Sequence, residues 1–400
     1  MTEKSRIAAG VTAAFFILLL FTGFIKNHPR GYMIKLYDHL VEAFDSDNGE
    51  ITGVSKIEND YAKSMPYRSA LINLSGLITR KLNIRDYYGD KNIYVTDDGY
   101  IVGLYPETDT GYEYNETVDL YKFLKENGIN MIYVNKPVKY SDDGSVSNMF
   151  GLETYTNRNA DKLVNGLKNA GVPVIDLREN AAAEGMDIKD LFYRTDHHWT
   201  VPAGLWASRI MAGGLNEYAG YDIDLSIYDD ENFEFRKFEN SWLGEQGRKL
   251  AGSYIGLDDY TEVKPVFETS FVFKDEEGKT EGTFDDLISE NFYETEEDVY
   301  TAPSFHYSYA LKGGCVNNDV ASGKVLMLTD SYDHVTAPFI SLAVHELDTL
   351  QLRDLDSSFD LRDYIVKNGY DTVIISYAQF MIGAHDDASS INYRMFDFGF

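Results

Sequence analysis

Lys324-Val325-Leu326-Met327-Leu328-Thr329-Asp330-Ser331-Tyr332 is the stretch on which the fold turns. Its apolar run is too short for a buried helix and has the length of a strand covered on both faces. Such strands belong to parallel sheets with helices on either side. Ser331 follows at the strand's C-terminal end, before a helix expected over residues 335–347. That edge is where open α/β sheets place their ligands. The turn exposes a hydroxyl, and the helix start offers unpaired N–H groups to a developing oxyanion. Asp330-Ser331 is equally an ordinary helix cap, and at this point both readings stand.

Outward from this stretch the same punctuation recurs. A helix over 116–126 stops at Asn127-Gly128, and Ile129-Asn130-Met131-Ile132-Tyr133-Val134 follows as a buried strand. A helix over 159–169, closed by Ala170-Gly171, precedes the strand Val172-Pro173-Val174-Ile175-Asp176-Leu177. Another helix is expected over 202–218, and a last strand at Asp371-Thr372-Val373-Ile374-Ile375-Ser376. Helix, glycine stop, apolar strand is the pattern of βαβ units. Asn92-Ile93-Tyr94-Val95 and Gly99-Tyr100-Ile101-Val102, joined by Thr96-Asp97-Asp98, read as a hairpin. Residues 57–82 read as helical, interrupted near Pro66. The fold class is therefore α/β, a mostly parallel sheet flanked by helices.

The 400 residues are 44% hydrophobic and 25% charged, which excludes wholesale disorder. With 36 basic and 65 acidic residues the net charge is −29, so a phosphate backbone is repelled and nucleic acid is excluded as a partner. The single cysteine, Cys315, excludes a disulfide framework and a multi-cysteine metal site. The 30 tyrosines exceed what a core needs; exposed tyrosine can stack on sugars or partners, or simply be a compositional habit. Residues 219–300 are acidic, aromatic and without clear period, and read as a long surface insertion with room for strands of its own; its charges, Glu294-Thr295-Glu296-Glu297-Asp298 among them, read as a solvated face in preference to a cation site. Residues 7–25 carry no charge; as a helix they reach roughly 28 Å, enough to cross a bilayer. Lys4 and Arg6 precede them, Lys26 and Arg30 follow, and no small-x-small cleavage site is present. The expected organisation is a cytoplasmic tip and transmembrane signal anchor (1–30), a stalk (31–56) and an extracytoplasmic domain (57–400) in a bacterial, single-pass membrane protein.

A second string stands out: Tyr193-Arg194-Thr195-Asp196-His197-His198-Trp199-Thr200. A serine nucleophile needs a base, and the base an orienting carboxylate. In extended chain i and i+2 share a face, so Asp196 and His198 sit together and His197 points away. That spacing suits an Asp–His pair serving a serine from elsewhere in the chain. A metal site using both histidines is disfavoured, since neighbouring side chains diverge and no third ligand is evident; no metal and no cofactor are expected.

These residues carry a resemblance. The string from Tyr193 to Thr200 resembles the motif that names the DHHW family, itself similar to the SGNH-hydrolase-like domains of alginate O-acetyltransferases. Pro66-Tyr67-Arg68, the hairpin through Asp98-Gly99-Tyr100, Tyr133-Val134-Asn135-Lys136-Pro137-Val138-Lys139-Tyr140, and Thr329-Asp330-Ser331-Tyr332 with Ala337-Pro338-Phe339 agree with that family's motifs in order. The resemblance spans about residue 57 to the end. It implies an SGNH-hydrolase-like, flavodoxin-like fold, with Ser331 as nucleophile, His198 as general base and Asp196 as its orienter. Asp330, Tyr332, Asn135, Lys139 and Trp199 are candidate pocket or oxyanion residues. Lys139 reads equally as a surface lysine, and Trp199 as a core anchor fixing the His198 turn or as a sugar platform. Thr329 departs from the glycine usual before Asp-Ser, and a β-branched residue there narrows the backbone options.

The function so implied is a membrane-anchored O-acetyltransferase acting on cell-surface or secreted polysaccharide, without a cofactor, and fed with acetyl by a multi-span membrane acyltransferase. A carbohydrate acetylesterase with the same triad is one alternative. A catalytically weak envelope scaffold that binds glycan or partners is the other, and Thr329 and the insertion favour it.

Overall fold

The computed structural model describes residues 67–87, 93–140, 154–275, 278–288, 299, 313–356, 358–383 and 393–399. The expected signal anchor and stalk lie outside them, as do Pro66, Asn92 and the charged run 294–298. Among the described residues no helix is long and apolar enough to cross a membrane. The chain divides into two compact units, Met1–Lys81 and Leu82–Phe400. Within the first, the described residues form the helix Arg68–Lys81.

The second unit is built on an eight-stranded sheet. Three short strands, β1 (Asp86–Tyr87), β2 (Ile93–Val95) and β3 (Ile101–Gly103), make the separate antiparallel sheet that holds the expected hairpin. The main sheet contains β4 (Asn130–Lys136) and β5 (Val174–Asp176). Strands β6 (Phe233–Trp242) and β7 (Asp258–Pro265) pair with each other apart from it. The main sheet is completed by β8 (Phe271–Asp275), β9 (Gly278–Gly282), β10 (Gly314–Asn317), β11 (Lys324–Thr329), β12 (Glu346–Leu350) and β13 (Thr372–Ala378). Its order is β5-β4-β13-β11-β12-β10-β8-β9.

The five strands from β5 to β12 are parallel, whereas β10, β8 and β9 join antiparallel. The sheet is thus mixed: five of its eight strands are parallel, as expected, and three antiparallel strands extend one side. β8 and β9 come from the 219–300 segment and meet as a hairpin, which needs no crossover helix, and β10 joins that hairpin to β12. The insertion is therefore not only surface, since its strands extend the sheet and Trp242, Leu243, Val263 and Phe271 are buried.

Alternation along the parallel strands divides two cores. Val325, Met327 and Ile374 face one side with Ile132 and Val134, against Val201, Leu205 and Met211 of the helix Val201–Ala219. Leu326, Leu328, Val373 and Ile375 face the other, against Leu120, Leu163 and Ile365 of the helices Gly111–Glu126, Thr156–Asn169 and Leu361–Asn368. Strands covered on both faces read as continuous apolar runs, which is why the sequence exposes them so plainly.

The helix expected over 335–347 is much shorter. Ser331–Val335 is a 3-10 turn, Ala337–Ile340 a single helical turn, and β12 begins at Glu346. β12 itself, Glu-Leu-Asp-Thr-Leu, has too weak an apolar run to be distinguished from the end of that helix. Gly204 in the helix Val201–Ala219 permits close approach to the turn that follows Ser331: a Cβ there would lie 2.1 Å from the Val335 carbonyl oxygen.

Candidate active site

The C-terminal ends of β4, β13 and β11 converge on Ser331. Thr329 closes β11 in register with Ser376 of β13, and Asp330 continues with extended backbone (φ −125°, ψ −170°). Neither residue needs a glycine: Thr329 is fully buried and its hydroxyl donates to the Leu350 carbonyl at 3.3 Å. The substitution that set Thr329 apart in the sequence is accommodated as an ordinary strand residue.

Beneath Ser331 lies a buried ionic cluster. Lys136 Nζ donates to Asp330 Oδ1 at 3.1 Å, Asp333 Oδ2 at 2.7 Å and the Ser376 carbonyl at 3.0 Å. Asp330 also accepts the Tyr332 N–H at 2.9 Å and the Ala378 N–H, which pins the turn to the end of β13. Asp333 accepts the Ser376 hydroxyl at 3.0 Å. One lysine faces two carboxylates, and all three side chains are fully buried. Burial is the larger cause pushing Asp333 up, to about 7, with Lys136 opposing and Asp330 adding to it.

The Asp196–His198 loop approaches from the other side. A bridge between Phe192 and Trp199 and the Thr200 N–H to Leu191 carbonyl bond (2.8 Å) close its base, and residues 194–198 bend between them. Asp196 Oδ1 accepts from the His198 backbone N–H at 3.0 Å and lies 2.6 Å from His198 Nδ1. His198 Nε2 is 2.7 Å from Ser331 Oγ. Asp196 Oδ2 accepts the Glu245 N–H at 2.5 Å. Burial would raise the Asp196 carboxyl, but the His198 and His197 imidazoles and the bonds from His198 hold it well below the usual carboxylate range.

His197 does not point away, because this bent segment lacks strand alternation. Its ring lies 3.8 Å from that of His198, centroid to centroid, its Nδ1 is 3.4 Å from Asp196 Oδ1, and its edge meets Phe380. Burial first, and the His198 imidazole second, push it down to about 4, so it is neutral at pH 7.

Asp196, His197 and His198 each offer one ligand atom within 4.8 Å of the others, so the third ligand missing from the sequence reading is Asp196 itself. The 2.6 Å separation of Asp196 Oδ1 from His198 Nδ1 nevertheless fits a hydrogen bond better than two ligands of one ion. Tetrahedral ligands at about 2.0–2.1 Å from zinc stand more than 3 Å apart.

The 219–300 segment supplies the loop's support. Asp258 Oδ2 accepts the Thr195 N–H at 2.8 Å and hydroxyl at 2.6 Å, and Asp258 Oδ1 accepts Arg194 Nε at 3.2 Å. Gly244 N–H donates to Thr195 Oγ1 at 2.8 Å, and Gly247 N–H to the Thr195 carbonyl at 2.7 Å. A Cβ on Gly244 would stand 2.3 Å from Asp196 Cβ, so only glycine lets the segment lie this close.

The remaining candidates fall into place as scaffold. Lys139 is buried, and its Nζ donates to the carbonyls of Tyr193 and Arg194, each at 3.2 Å, and of Asp196, and to Gln246 Oε1 at 3.2 Å. Burial pushes it down to about 7 against the attraction of Asp196 and Asp258. Asn135 is also buried and donates to Asp176 Oδ1 at 2.9 Å. Trp199, 1% exposed, donates from Nε1 to the Tyr332 carbonyl at 2.8 Å and is a core anchor, inaccessible to a sugar. The Tyr332 hydroxyl donates to the His197 carbonyl, tying the two halves a second time.

Sequence reasoning missed Lys136, Asp333, Ser376, Gly244 and Asp258. Lys136 stood in the quoted Asn-Lys-Pro-Val-Lys-Tyr string, and its position at the end of an apolar strand was the available signal. A cavity of about 990 Å³ bounded by Asn130, Tyr221, Ser322 and Asp371 lies at the opposite, N-terminal edge of the parallel strands and shares no residue with this network.

The chain is similar to known proteins in part of its sequence and in its fold. Residues 112–224 match the model of the SGNH hydrolase-like domain of acetyltransferase AlgX. The fold is similar to Bacillus cereus PatB1, solved with a sulfonyl adduct, at TM-score 0.57 and 19% identity over 78% of this chain and 99% of that one. It is also similar to a DHHW family protein from Eubacterium siraeum, at TM-score 0.57 and 16% identity over 78% and 96% of the two chains. No curated protein matches the chain in sequence.

Proposed function

We propose that this chain is an O-acetyltransferase that moves acetyl from a donor ester to a hydroxyl of a cell-surface or secreted polysaccharide. One observation carries the reading: the unbroken relay of Ser331 Oγ, 2.7 Å from His198 Nε2, with His198 Nδ1 2.6 Å from Asp196 Oδ1. Ser331 is partly exposed while both partners are buried, as a nucleophile and its base require. The match of residues 112–224 to an acetyltransferase domain model supports the reaction class.

The chemistry follows from the relay. Ser331 Oγ attacks the acetyl carbonyl as His198 Nε2 takes its proton. Asp196, held ionised, keeps Nδ1 protonated and stabilises the imidazolium. The proton passes to the donor's leaving oxygen, leaving acetyl-Ser331. A sugar hydroxyl then gives its proton to His198 and attacks the ester, which restores the serine. The setting we propose is extracytoplasmic, with residues 7–25 as a single membrane anchor and acetyl delivered by a multi-span membrane acyltransferase.

The test uses the full chain in detergent with an activated acetyl ester and an oligosaccharide acceptor. Expected is a mass gain of one acetyl on the acceptor, and covalent modification of Ser331 by a sulfonyl fluoride that Ser331→Ala abolishes. Acetate release with an unmodified acceptor identifies an esterase. An unreactive Ser331 in folded protein overturns the enzymatic reading.

A further inference from the structure

The helix Arg68–Lys81 shows an unusual distribution of side chains. Leu74, Leu77 and Ile78 are 52%, 46% and 51% exposed, and with exposed Ala70 they repeat at i, i+4, i+7 and i+8, the spacing of one helical stripe. The residues buried on this helix are instead Ser69 and Gly76. Its apolar stripe is thus the face that meets solvent, contrary to the ordinary arrangement in a soluble domain.

The charge pattern is equally out of character. Residues 61–85 contain Lys63, Arg68, Arg80, Lys81 and Arg85 and no Asp or Glu, in a chain where acidic residues outnumber basic ones 65 to 36. The helix itself carries Arg68 in its first turn and Arg80 and Lys81 in its last, with no acid between. An exposed Leu/Ile stripe flanked by cations, embedded in a strongly acidic protein, is complementary to one kind of surface: apolar at depth and anionic at its face.

We propose that the helix Arg68–Lys81 lies flat on an anionic bilayer, with Leu74, Leu77 and Ile78 among the acyl chains and the exposed Arg80 and Lys81 against lipid phosphates. A membrane is favoured over a protein groove because Arg80 and Lys81 are exposed at the end of the stripe and residues 61–85 hold no acid, so an anionic apolar surface meets both features at once. The inference is independent of the acyl-transfer chemistry and of whether residues 7–25 span the membrane, since an anchor there would act on vesicles of any charge and the test reads the difference between anionic and neutral ones.

The experiment places an environment-sensitive fluorophore on Leu77→Cys in the full chain; the native Cys315 is buried and leaves the label site-specific. The labelled protein is mixed with phosphatidylglycerol/phosphatidylcholine vesicles or with phosphatidylcholine alone, each with and without spin-labelled lipid. Expected is a blue-shifted emission and several-fold stronger quenching on anionic than on neutral vesicles, lost when Arg80→Glu and Lys81→Glu are added. A label that stays water-like on both vesicles, or that shifts equally on both, overturns the proposal. A shift that appears without lipid as protein concentration rises also overturns it and identifies a second copy of the chain as the occupant. Flotation of the same samples reports recruitment by residues 7–25 separately, and a melting curve of each variant confirms folding.

Discussion

The Ser331 turn and the Asp196–His198 loop meet at one 2.7 Å contact, yet they are held by different means. Under the turn, charged groups are used chiefly on each other: Lys136 binds Asp330 and Asp333 in a buried cluster at the end of the parallel strands. Around the loop, charged groups are used on backbone. Lys139 binds carbonyls, while Asp258 and Asp196 bind N–H groups. The difference follows from what each region must hold. A strand end is already positioned by its ladder and needs its outgoing turn locked in direction. An irregular loop has no ladder, so its peptide groups must be satisfied one at a time by side chains from other elements.

If the loop supplies the proton relay, His198→Ala has the largest effect on chemistry. Turnover of an activated acetyl ester is expected to fall by roughly 10³-fold or more while the melting temperature is nearly unchanged. A fall in stability with residual turnover would make the loop structural only.

The turn is expected to show its role in stability. Lys136→Met leaves Asp330 and Asp333 buried without their cation, a loss of about 3–5 kcal/mol in chemical denaturation. If Lys136→Met unfolds no earlier than the parent, the cluster is not what locks the turn.

Lys139→Met sharpens the contrast through pH. The Lys139 pKa is lowered to about 7 by burial, against about 10.4 for an unfolded lysine. Between those values the unfolded chain binds more protons, so stability from this group rises with pH and is lost as pH falls to about 7. The parent is therefore expected to gain on Lys139→Met as pH rises from 7 toward 10, read by denaturant midpoints. A constant difference would mean that Lys139 keeps its charge throughout.

The smallest effect belongs to His197→Ala. Its ring braces His198 but does not sit in the relay, so ester turnover is expected to drop by less than about tenfold. A loss equal to that of His198→Ala would place the His197 ring itself in the proton path.

Much of this protein was legible in the chain because its information is local. Apolar runs such as Val325 to Leu328 and glycine stops such as Gly128 announce buried strands and helix ends by side-chain chemistry alone. The short motifs around Asp196, His198 and Ser331 drew attention for the same reason. What stayed hidden depends on distant residues meeting. The fate of residues 335–347 turned on whether Glu346 to Leu350 paired with β11, and a propensity carries no pairing information. Lys139 and Asn135 looked like site-lining groups because both lie at the end of a central strand; that Asn135 bonds Asp176 and Lys139 the carbonyls of the 193–196 loop is set by the elements packed over them.

The sequence by itself determined the α/β class, the two-faced burial of the central strands and the residue types able to carry acyl transfer, since each rests on contacts within a few residues. Tertiary structure alone decided that Lys136 rather than Lys139 sits beneath the Ser331 turn, that the His197 ring lies tilted against that of His198, and that the acidic 219–300 segment supports Asp196. The physical reason is separation: Lys136 and Asp330 lie 194 positions apart, Thr195 and Asp258 63 apart, and only the packed sheet brings them within hydrogen-bonding distance.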